Sequence, residues 1–414
     1  MQYRNLGASG FRVSAVSLGG WLTFGGTVDD ATTATIVARA GDLGVNFIDL
    51  ADAYARGGAE EAVGRAIRGI RRSDLVLSSK AFWPMGDGPN DRGLSRKHLF
   101  ESVDASLKRL GTDYLDLYFC HRADPETPLH ETAEAMSDLV RMGKVLYWGT
   151  SVWPAELLDR THDVCERRAL RAPIVEQPEY SLLQRGIEAS VLPFARRSGT
   201  GVVVWSPLAG GLLTGKYDGG VPEASRGATS SWLDEHLNER TLERLRAFSE
   251  MARERGVRPA QLALAWVLAQ DGISAVITGA TRPEQIEENV AAVGVELDSE
   301  TLERLDALFP AGGAADAASR GVGVAARGPR WGRGRPDALR SGTPRPVGGR
   351  SLRMRGIGGR DGACAVPPGA GATDCPECLG PLIRCGNPPH SFLGGRARGQ
   401  RRRRGGWYAR QDSN

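Results

Sequence analysis

Residues 47–54 read Phe-Ile-Asp-Leu-Ala-Asp-Ala-Tyr, a short apolar segment with Asp49 inside it. Two later apolar runs also contain an ionisable residue: the run 75–80 ends in Lys80, and the run 115–121 ends in His121. Four later runs end in small or polar residues, namely Ser151, Gln177, Ser206 and Gly279. Runs of this length that are largely apolar, rather than alternating, are typical of strands buried on both faces of a sheet.

Eight such runs predict eight strands, at residues 16–19, 47–51, 75–80, 115–121, 145–151, 174–177, 202–206 and 275–279. Amphipathic segments separate them, most clearly at residues 96–109, 128–142, 154–168, 240–255 and 259–269. This alternation predicts an α/β fold with a parallel (β/α)8 barrel, and a doubly wound open sheet is the alternative. The first 14 residues, with Gly7 and Gly10 between short segments, are expected to form a β-hairpin that closes the bottom of the barrel.

Composition divides the 414 residues into two regions. Residues 311–414 contain 19 arginines, no lysine and six acidic residues, with 23 glycines and ten prolines, whereas residues 1–310 carry a net charge of −9. A chain this rich in Arg, Gly and Pro cannot bury enough apolar surface to offset its conformational entropy, so we predict a disordered tail after a barrel at 1–310. Its bias also resembles the translation of a GC-rich reading frame.

Several classes of protein are disfavoured by the sequence. No apolar stretch approaches the roughly 18 residues needed to span a membrane, and the start of the chain lacks a signal-peptide pattern. The acidic barrel region argues against a specific nucleic-acid site. Residues 1–310 contain two cysteines, which fits a reducing compartment, so we expect a cytoplasmic protein.

Polar residues at the strand ends predict the position of the site. In a parallel barrel the C-terminal ends of all strands meet on one face, where active sites lie. Asp49, Lys80 and His121 lie in or at the end of three consecutive predicted strands, so we expect them to come together there. Taken singly, Asp49 has the alternative of capping a helix, and His121 that of a structural histidine.

These motifs resemble the aldo-keto reductase family. Asp49 and Tyr54 match its Asp-plus-five-Tyr motif, and Ser-Ser-Lys at 78–80 and Tyr-Phe-Cys-His-Arg at 118–122 match its lysine and histidine motifs. The segments 20–26, 147–151 and 205–209 are similar to the branch that contains the potassium-channel β subunits and their bacterial relatives. The resemblance extends from Tyr3 to about Phe309 and implies an NADPH-dependent reductase of aldehydes or ketones.

The resemblance implies a role for each catalytic residue. Tyr54 would donate a proton to the carbonyl oxygen, although a phenol of ordinary pKa near 10 is a weak acid at neutral pH. Lys80 would lower that pKa, Asp49 would hold Lys80 in place, and His121 would orient the carbonyl. Animal channel β subunits carry Asn at the position of His121, so this histidine favours a working enzyme.

The cofactor residues also follow from the resemblance. No Gly-x-Gly-x-x-Gly motif follows an early strand, and the Walker-like spacing of Gly210, Gly215 and Lys216 has Tyr217 where Ser or Thr is required. The resemblance assigns the nicotinamide amide to Ser151 and Gln177, with Tyr180 beside the ring, and the adenosine phosphate to Arg226. It assigns the cofactor pyrophosphate to the loop residues Trp205, Ser206, Pro207, Leu208, Gly210 and Lys216. It assigns the adenosine end to Gln285, Glu288 and Asn289 on the helix that follows Gly279 and Thr281. The remaining residues assigned to NADPH are Gly20 and Trp21.

Two other functions remain open at this point. The protein could reduce a nucleotide-linked keto-deoxysugar, with loops 83–92 and 226–238 selecting the substrate. It could instead be a redox-sensing regulatory subunit with slow turnover, and a homo-oligomer is possible in either case. Cys375, Cys378, Cys385 and His390 have zinc-like spacing, but in such an irregular segment we predict no metal site.

Overall fold

Eight parallel strands close into a barrel in the computed structural model, which describes residues 1–222, 225–229, 233 and 237–312. The barrel strands are β3 (Val16–Gly19), β4 (Phe47–Asp49), β5 (Val76–Ala81), β6 (Leu115–Cys120), β7 (Val145–Thr150), β8 (Val175–Glu176), β9 (Gly201–Val204) and β10 (Ile273–Thr278). Each pairs with its neighbour in chain order, and β10 returns to pair with β3. The predicted (β/α)8 barrel is therefore confirmed, and the open-sheet alternative is excluded.

Helices follow the strands around the outside of the barrel. They are α1 (Asp30–Asp42), α2 (Gly58–Ala66), α3 (Arg96–Leu110), α4 (Leu129–Arg141), α5 (Ala155–Arg167), α6 (Val191–Ser198), α7 (Arg226–Thr229), α8 (Glu239–Glu254), α9 (Pro259–Ala269), α10 (Pro283–Ala291) and α11 (Ser299–Leu308). Several begin at side-chain caps: Asp29 accepts from the Thr32 amide and Ser95 from the His98 amide. No helix in the described part of the chain is long and apolar enough to cross a membrane.

The predicted hairpin closes the N-terminal end of the barrel. Strands β1 (Tyr3–Asn5) and β2 (Arg12–Ser14) pair antiparallel, and Leu6 and Val13 join the apolar cluster that fills the barrel interior. The Ser14 amide donates to Asn46 Oδ1, just before β4. Gly7 has a φ of +59°, and a Cβ there would lie 2.2 Å from the carbonyl oxygen of Gly199. The close approach of the hairpin to the strand starts therefore requires glycine.

The observed elements differ from the predicted ones mainly at their ends. The strand predicted at 47–51 ends at Asp49, and the one predicted at 202–206 is Gly201–Val204, because the backbone turns where each run meets the site. Helices α1, α2, α6, α10 and α11 had no clear sequence pattern. The tail predicted at 311–414, with its cysteines, lies outside the described residues apart from positions 311 and 312.

Candidate active site

The C-terminal ends of the strands bring the predicted catalytic residues to one edge of the barrel. Asp49 ends β4 and is in register with Ser78 of β5, while Lys80 lies one residue before the end of β5. His121 follows β6, and its backbone amide donates to the carbonyl of Ala81. Parallel pairing therefore fixes these three residues on neighbouring strands at the same level.

Lys80 and Asp49 form a buried ion pair at the centre of the site. Lys80 Nζ lies 2.7 Å from Asp49 Oδ2, and neither side chain is more than 3% exposed. The ammonium also donates to the carbonyl of Leu50 at 2.6 Å and to Tyr54 Oη at 3.1 Å. Ser78 Oγ and Gln177 Nε2 both donate to Asp49 Oδ1, at 2.7 and 3.0 Å. All three N–H groups of Lys80 are thus used, and Asp49 is held from three sides.

Tyr54 stands on a strained turn. It begins a 3-10 turn, Tyr54–Gly57, in which Ala55, Arg56 and Gly57 all have positive φ, at 49°, 54° and 91°. Left-handed conformations in residues other than glycine cost free energy and are concentrated at functional sites. A Cβ on Gly57 would lie 2.8 Å from Arg109 Cδ, so this position requires glycine. The turn holds the phenol over Lys80.

Burial and nearby charges act in opposite directions on the pKa values of Tyr54 and Lys80. Burial raises the pKa of the Tyr54 phenol by more than the nearby Lys80 lowers it, so the net pKa is above its usual value. Burial alone would lower the pKa of Lys80, but Asp49 and Tyr54 outweigh it and raise the net pKa. Lys80 therefore lowers the pKa of Tyr54 as expected, but burial outweighs this effect in the protein alone, so the phenol is protonated and the lysine charged at neutral pH.

His121 lies edge-on to Tyr54 and is neutral. The ring centroids of Tyr54 and His121 are 5.8 Å apart, and Trp83 is 6.1 Å from His121 on another side. Burial, followed by the charges of Arg122 and Lys80, lowers the pKa of His121 well below its ordinary value. Its Nδ1 has no hydrogen-bond partner among the described residues. A buried polar atom of this kind is available to a bound molecule.

Ser151 and Gln177, which the resemblance assigns to the nicotinamide amide, adjoin this cluster. Ser151 Oγ donates to the carbonyl of Gln177 at 2.8 Å, and Gln177 contacts Asp49 as described. Tyr180 does not join the cluster, because its ring packs against Trp266 and its hydroxyl donates to Glu188. The prediction that Tyr180 flanks the ring is therefore not supported.

The segment after β9 forms a loop with several left-handed residues. Ser206 and Ala209 have positive φ although neither is glycine, and Gly210 and Gly211 follow at 65° and 100°. Loops of this kind turn backbone N–H groups into an anion-binding concavity. Lys216 reaches the loop, since a Cβ on Gly211 would lie 2.6 Å from its Nζ. The loop contains all the predicted pyrophosphate residues from 205 to 210, including Pro207 and Leu208.

The other cofactor residues predicted at the barrel edge are positioned as follows. Gly20 follows β3, where a Cβ would lie 2.6 Å from Leu50 Cδ2, and Trp21 is 38% exposed. The indole of Trp21 lies edge-on to that of Trp205, with centroids 6.4 Å apart. Gly279 follows β10 and is exposed, and its nearest contact for a Cβ is Thr23 at 3.8 Å. Space is therefore open beside the backbone at Gly279.

The adenosine residues predicted on α10 are partly engaged within the protein. Gln285 Oε1 accepts from the amide of Thr281 at 2.7 Å, and Asn289 is buried. Glu288, predicted to face the adenosine, forms an ion pair with Arg258 at 2.6 Å. The side chain of Arg226, predicted to contact the adenosine phosphate, lies outside the described residues.

Sequence reasoning missed a buried acid behind the site. Asp52 is completely buried; it accepts from Ser102 Oγ at 2.6 Å, and its other oxygen, Oδ1, has no partner among the described residues. Burial raises its pKa to about 7, and the charge of Glu60 adds to the effect. Glu60 itself pairs with Arg109 at 2.6 Å and accepts from Ser79. A second acid three residues after Asp49 was the available signal.

Two residues of the motif at 118–122, Cys120 and Arg122, were quoted without a role, and Cys165 on α5 is the other cysteine of the barrel. Arg122 follows His121, and its guanidinium lies 5.7 Å from the centroid of Trp83. Cys120, beside His121 in sequence, is fully buried, and burial raises the pKa of its thiol. Cys165 is also buried, with a pKa raised to about 11.

Comparisons with known proteins agree with this geometry. The model of the aldo/keto reductase family matches residues 15–309. A probable voltage-gated potassium channel subunit beta from Arabidopsis thaliana is 47% identical over 302 residues, which cover 71% of this chain and 92% of that protein. A protein of the same description from Oryza sativa subsp. japonica is 46% identical over 317 residues, covering 74% and 96%. The barrel, the motifs at its strand ends and these similarities together establish that the chain belongs to the aldo/keto reductase family.

Proposed function

We propose that the protein reduces an aldehyde or ketone to an alcohol with NADPH, and that Tyr54 is the general acid. The proposal depends on one observation. The three N–H groups of Lys80 are given to Asp49, Leu50 and Tyr54, so Tyr54 Oη accepts one of them. The phenol must then direct its own hydrogen away from Lys80, where a substrate oxygen can accept it.

The protonation states support Tyr54 over His121 as the acid. His121 is neutral at pH 7 because its pKa is lowered, so it can donate a hydrogen bond but holds no extra proton. Tyr54 is protonated, and the charged Lys80 stabilises the phenolate that is left when the proton moves to the carbonyl oxygen. Bound NADPH would supply the hydride to the carbonyl carbon.

The residues present fit a nicotinamide dinucleotide. The left-handed loop after Trp205 and the ammonium of Lys216 suit a pyrophosphate, and the open backbone at Gly279 allows close approach. Ser151 and Gln177 would hold the nicotinamide amide beside Asp49. We assign NADPH rather than NADH because Arg226 adds a charge suited to the extra phosphate.

The test compares the full-length wild-type protein with Tyr54→Phe and with Tyr114→Phe as a control. Tyr114 lies before β6 at the other end of the barrel, where Arg72 covers its ring. NADPH oxidation is measured with a panel of aldehydes, ketones and nucleotide-linked keto-sugars, and NADPH binding by quenching of tryptophan fluorescence. We expect Tyr54→Phe to lower kcat by about 10²- to 10⁴-fold with binding retained. Tyr114→Phe should be close to wild type.

Two results would contradict the mechanism. Turnover that does not depend on Tyr54 would remove it as the acid. Tight NADPH binding without turnover of any carbonyl would favour the second candidate, a regulatory subunit, which the names of the two plant relatives support. Activity confined to the nucleotide-linked sugars would narrow the substrate to that class.

A further inference from the structure

We propose that Arg122 selects carbonyl substrates that carry a carboxylate, so that the preferred substrate is an oxo acid. The inference rests on the proposed reductase function and adds the substrate class to it. It concerns a residue that the catalytic scheme above does not use.

Arg122 lies beside the reacting groups. Its Nη1 donates to the carbonyl of His121 at 2.5 Å and to Ser151 Oγ at 3.4 Å. Its charge is close enough to lower the pKa of His121 and to act on that of Tyr54. The guanidinium lies beside the ring of Trp83, which adjoins His121, and His121 in turn adjoins Tyr54, so the cation lies near the reacting groups.

The guanidinium has donors to spare. Arginine offers five N–H groups, and both hydrogen bonds of Arg122 within the described residues come from Nη1. Within this part of the chain, no carboxylate oxygen lies within 4.0 Å of it. Three other partly buried arginines each bind a carboxylate, namely Arg72 with Asp116, Arg109 with Glu60 and Arg185 with Glu188. A partly buried cation without an anion carries a desolvation cost that a bound carboxylate would offset.

The acids near Arg122 leave its charge incompletely balanced. Glu176 is engaged by Thr150 Oγ1 and by the backbone amide of Trp153. Glu179 attracts Arg122 without bonding to it. Burial raises the pKa of both glutamates to about 7, so each is about half protonated at pH 7. The charge of Lys80 is matched by Asp49.

These charges favour a carboxylate over a phosphate. One guanidinium with a free edge matches the planar, singly charged carboxylate in a bidentate pair. A phosphate dianion would need a second cation beside Arg122. The other ionisable groups that act on Arg122 are Tyr54, Glu176 and Glu179, and none of these three is a cation. Trp83 beside the guanidinium gives an apolar wall for the carbon skeleton between the carboxylate and the carbonyl.

The experiment uses two substrates that differ mainly in charge, 4-carboxybenzaldehyde and its methyl ester. The full-length wild-type protein is compared with Arg122→Gln, Arg122→Lys and the control Arg68→Gln, which removes an exposed arginine after α2. We expect Arg122→Gln to lower kcat/KM for the acid by roughly 10- to 100-fold more than for the ester, as for loss of a charge-assisted bidentate pair. Arg122→Lys should recover part of the preference, and Arg68→Gln should keep the wild-type ratio.

The ratio separates recognition from structural damage. If Arg122 only positions His121, both substrates should lose activity equally, and that result would overturn the proposal. A wild-type enzyme that prefers the ester would overturn it as well. If neither compound is reduced, the reductase function fails for these substrates, and binding of terephthalate to the NADPH complex decides the matter by calorimetry. Binding lost in Arg122→Gln supports the anion site, whereas no binding, or equal binding, refutes it.

Discussion

Replacing Asp52 with asparagine should stabilise the protein more at alkaline pH than at acid pH. Asp52 is fully buried, and its carboxyl has a pKa of about 7 in the folded protein, against a usual value of 3.8. A raised folded pKa means that the folded state holds the proton more tightly. As the pH rises from about 4 to 7, Asp52 ionises in the unfolded chain but stays protonated in the folded protein. Ionisation stabilises the unfolded chain, so the free energy of unfolding falls.

The size of the effect follows from these two pKa values. Relative to low pH, where Asp52 is protonated in both states, its ionisation lowers the free energy of unfolding of the wild type by about 4 kcal/mol at pH 8. About 2 kcal/mol of this loss is already present at pH 5. Asparagine cannot ionise, so the stability of Asp52→Asn relative to the wild type should increase by about 2–3 kcal/mol from pH 5 to pH 8. Asn can still accept from Ser102 Oγ, and the hydroxyl of Tyr118, which has no partner among the described residues, lies in the same buried cluster.

The assay is urea unfolding of both full-length proteins, followed by circular dichroism at several pH values between 5 and 8. Glu176 and Glu179 titrate in the same range but are present in both proteins, so their effect cancels in the difference. Ser102→Ala is the opposing variant: it removes a hydrogen bond that lowers the pKa of Asp52, and should steepen the dependence on pH. A difference between Asp52→Asn and wild type that stays constant across the range would refute the reasoning.

Two further predictions concern stability. Lys80→Met leaves Asp49 buried without its cation, so we expect the free energy of unfolding to fall by about 3–5 kcal/mol at pH 7. The double variant with Asp49→Asn should recover part of this loss in urea unfolding. If the single and double variants unfold at the same urea concentration, the argument is contradicted. Gly64→Ala in α2 should destabilise despite the better helix propensity of alanine, because a Cβ there would lie 2.5 Å from the carbonyl oxygen of Arg109. A Cβ on Gly41 in α1 would meet nothing within 4 Å, so Gly41→Ala should stabilise the protein by about 0.5–1 kcal/mol. If thermal unfolding shows Gly64→Ala to be more stable than Gly41→Ala, the packing argument is wrong.

The strands could be predicted because parallel barrel strands are buried on both faces and stand out as apolar runs. The convergence of Asp49 and Lys80 followed from the same property, since parallel strands end at one edge. Helix α1 was not evident, because its buried positions include Thr33 and Ala40 beside Ile36 and Val37. Such a face gives only a weak contrast between apolar and polar positions.

The electrostatic character of the site could not be predicted from residue types. The raised pKa of Tyr54 is a balance between burial and the charge of Lys80, and only the three-dimensional arrangement sets that balance. Arg122 looked like an ordinary charged residue after a strand. That no acid of the described residues pairs with it depends on the placement of Glu176 and Glu179, more than 50 residues later in the chain.

The two cysteines of the barrel bear on how the protein could respond to oxidative conditions. Cys120 and Cys165 are buried, and burial favours their neutral thiol form, which is a poor nucleophile towards peroxides and disulfides. Peroxide should therefore leave both thiols of the barrel unchanged under conditions in which a thiolate sensor would already have reacted. If this protein senses redox state, the signal would therefore depend on whether reduced or oxidised cofactor is bound to the barrel. Such a signal reverses as soon as one form of the cofactor replaces the other.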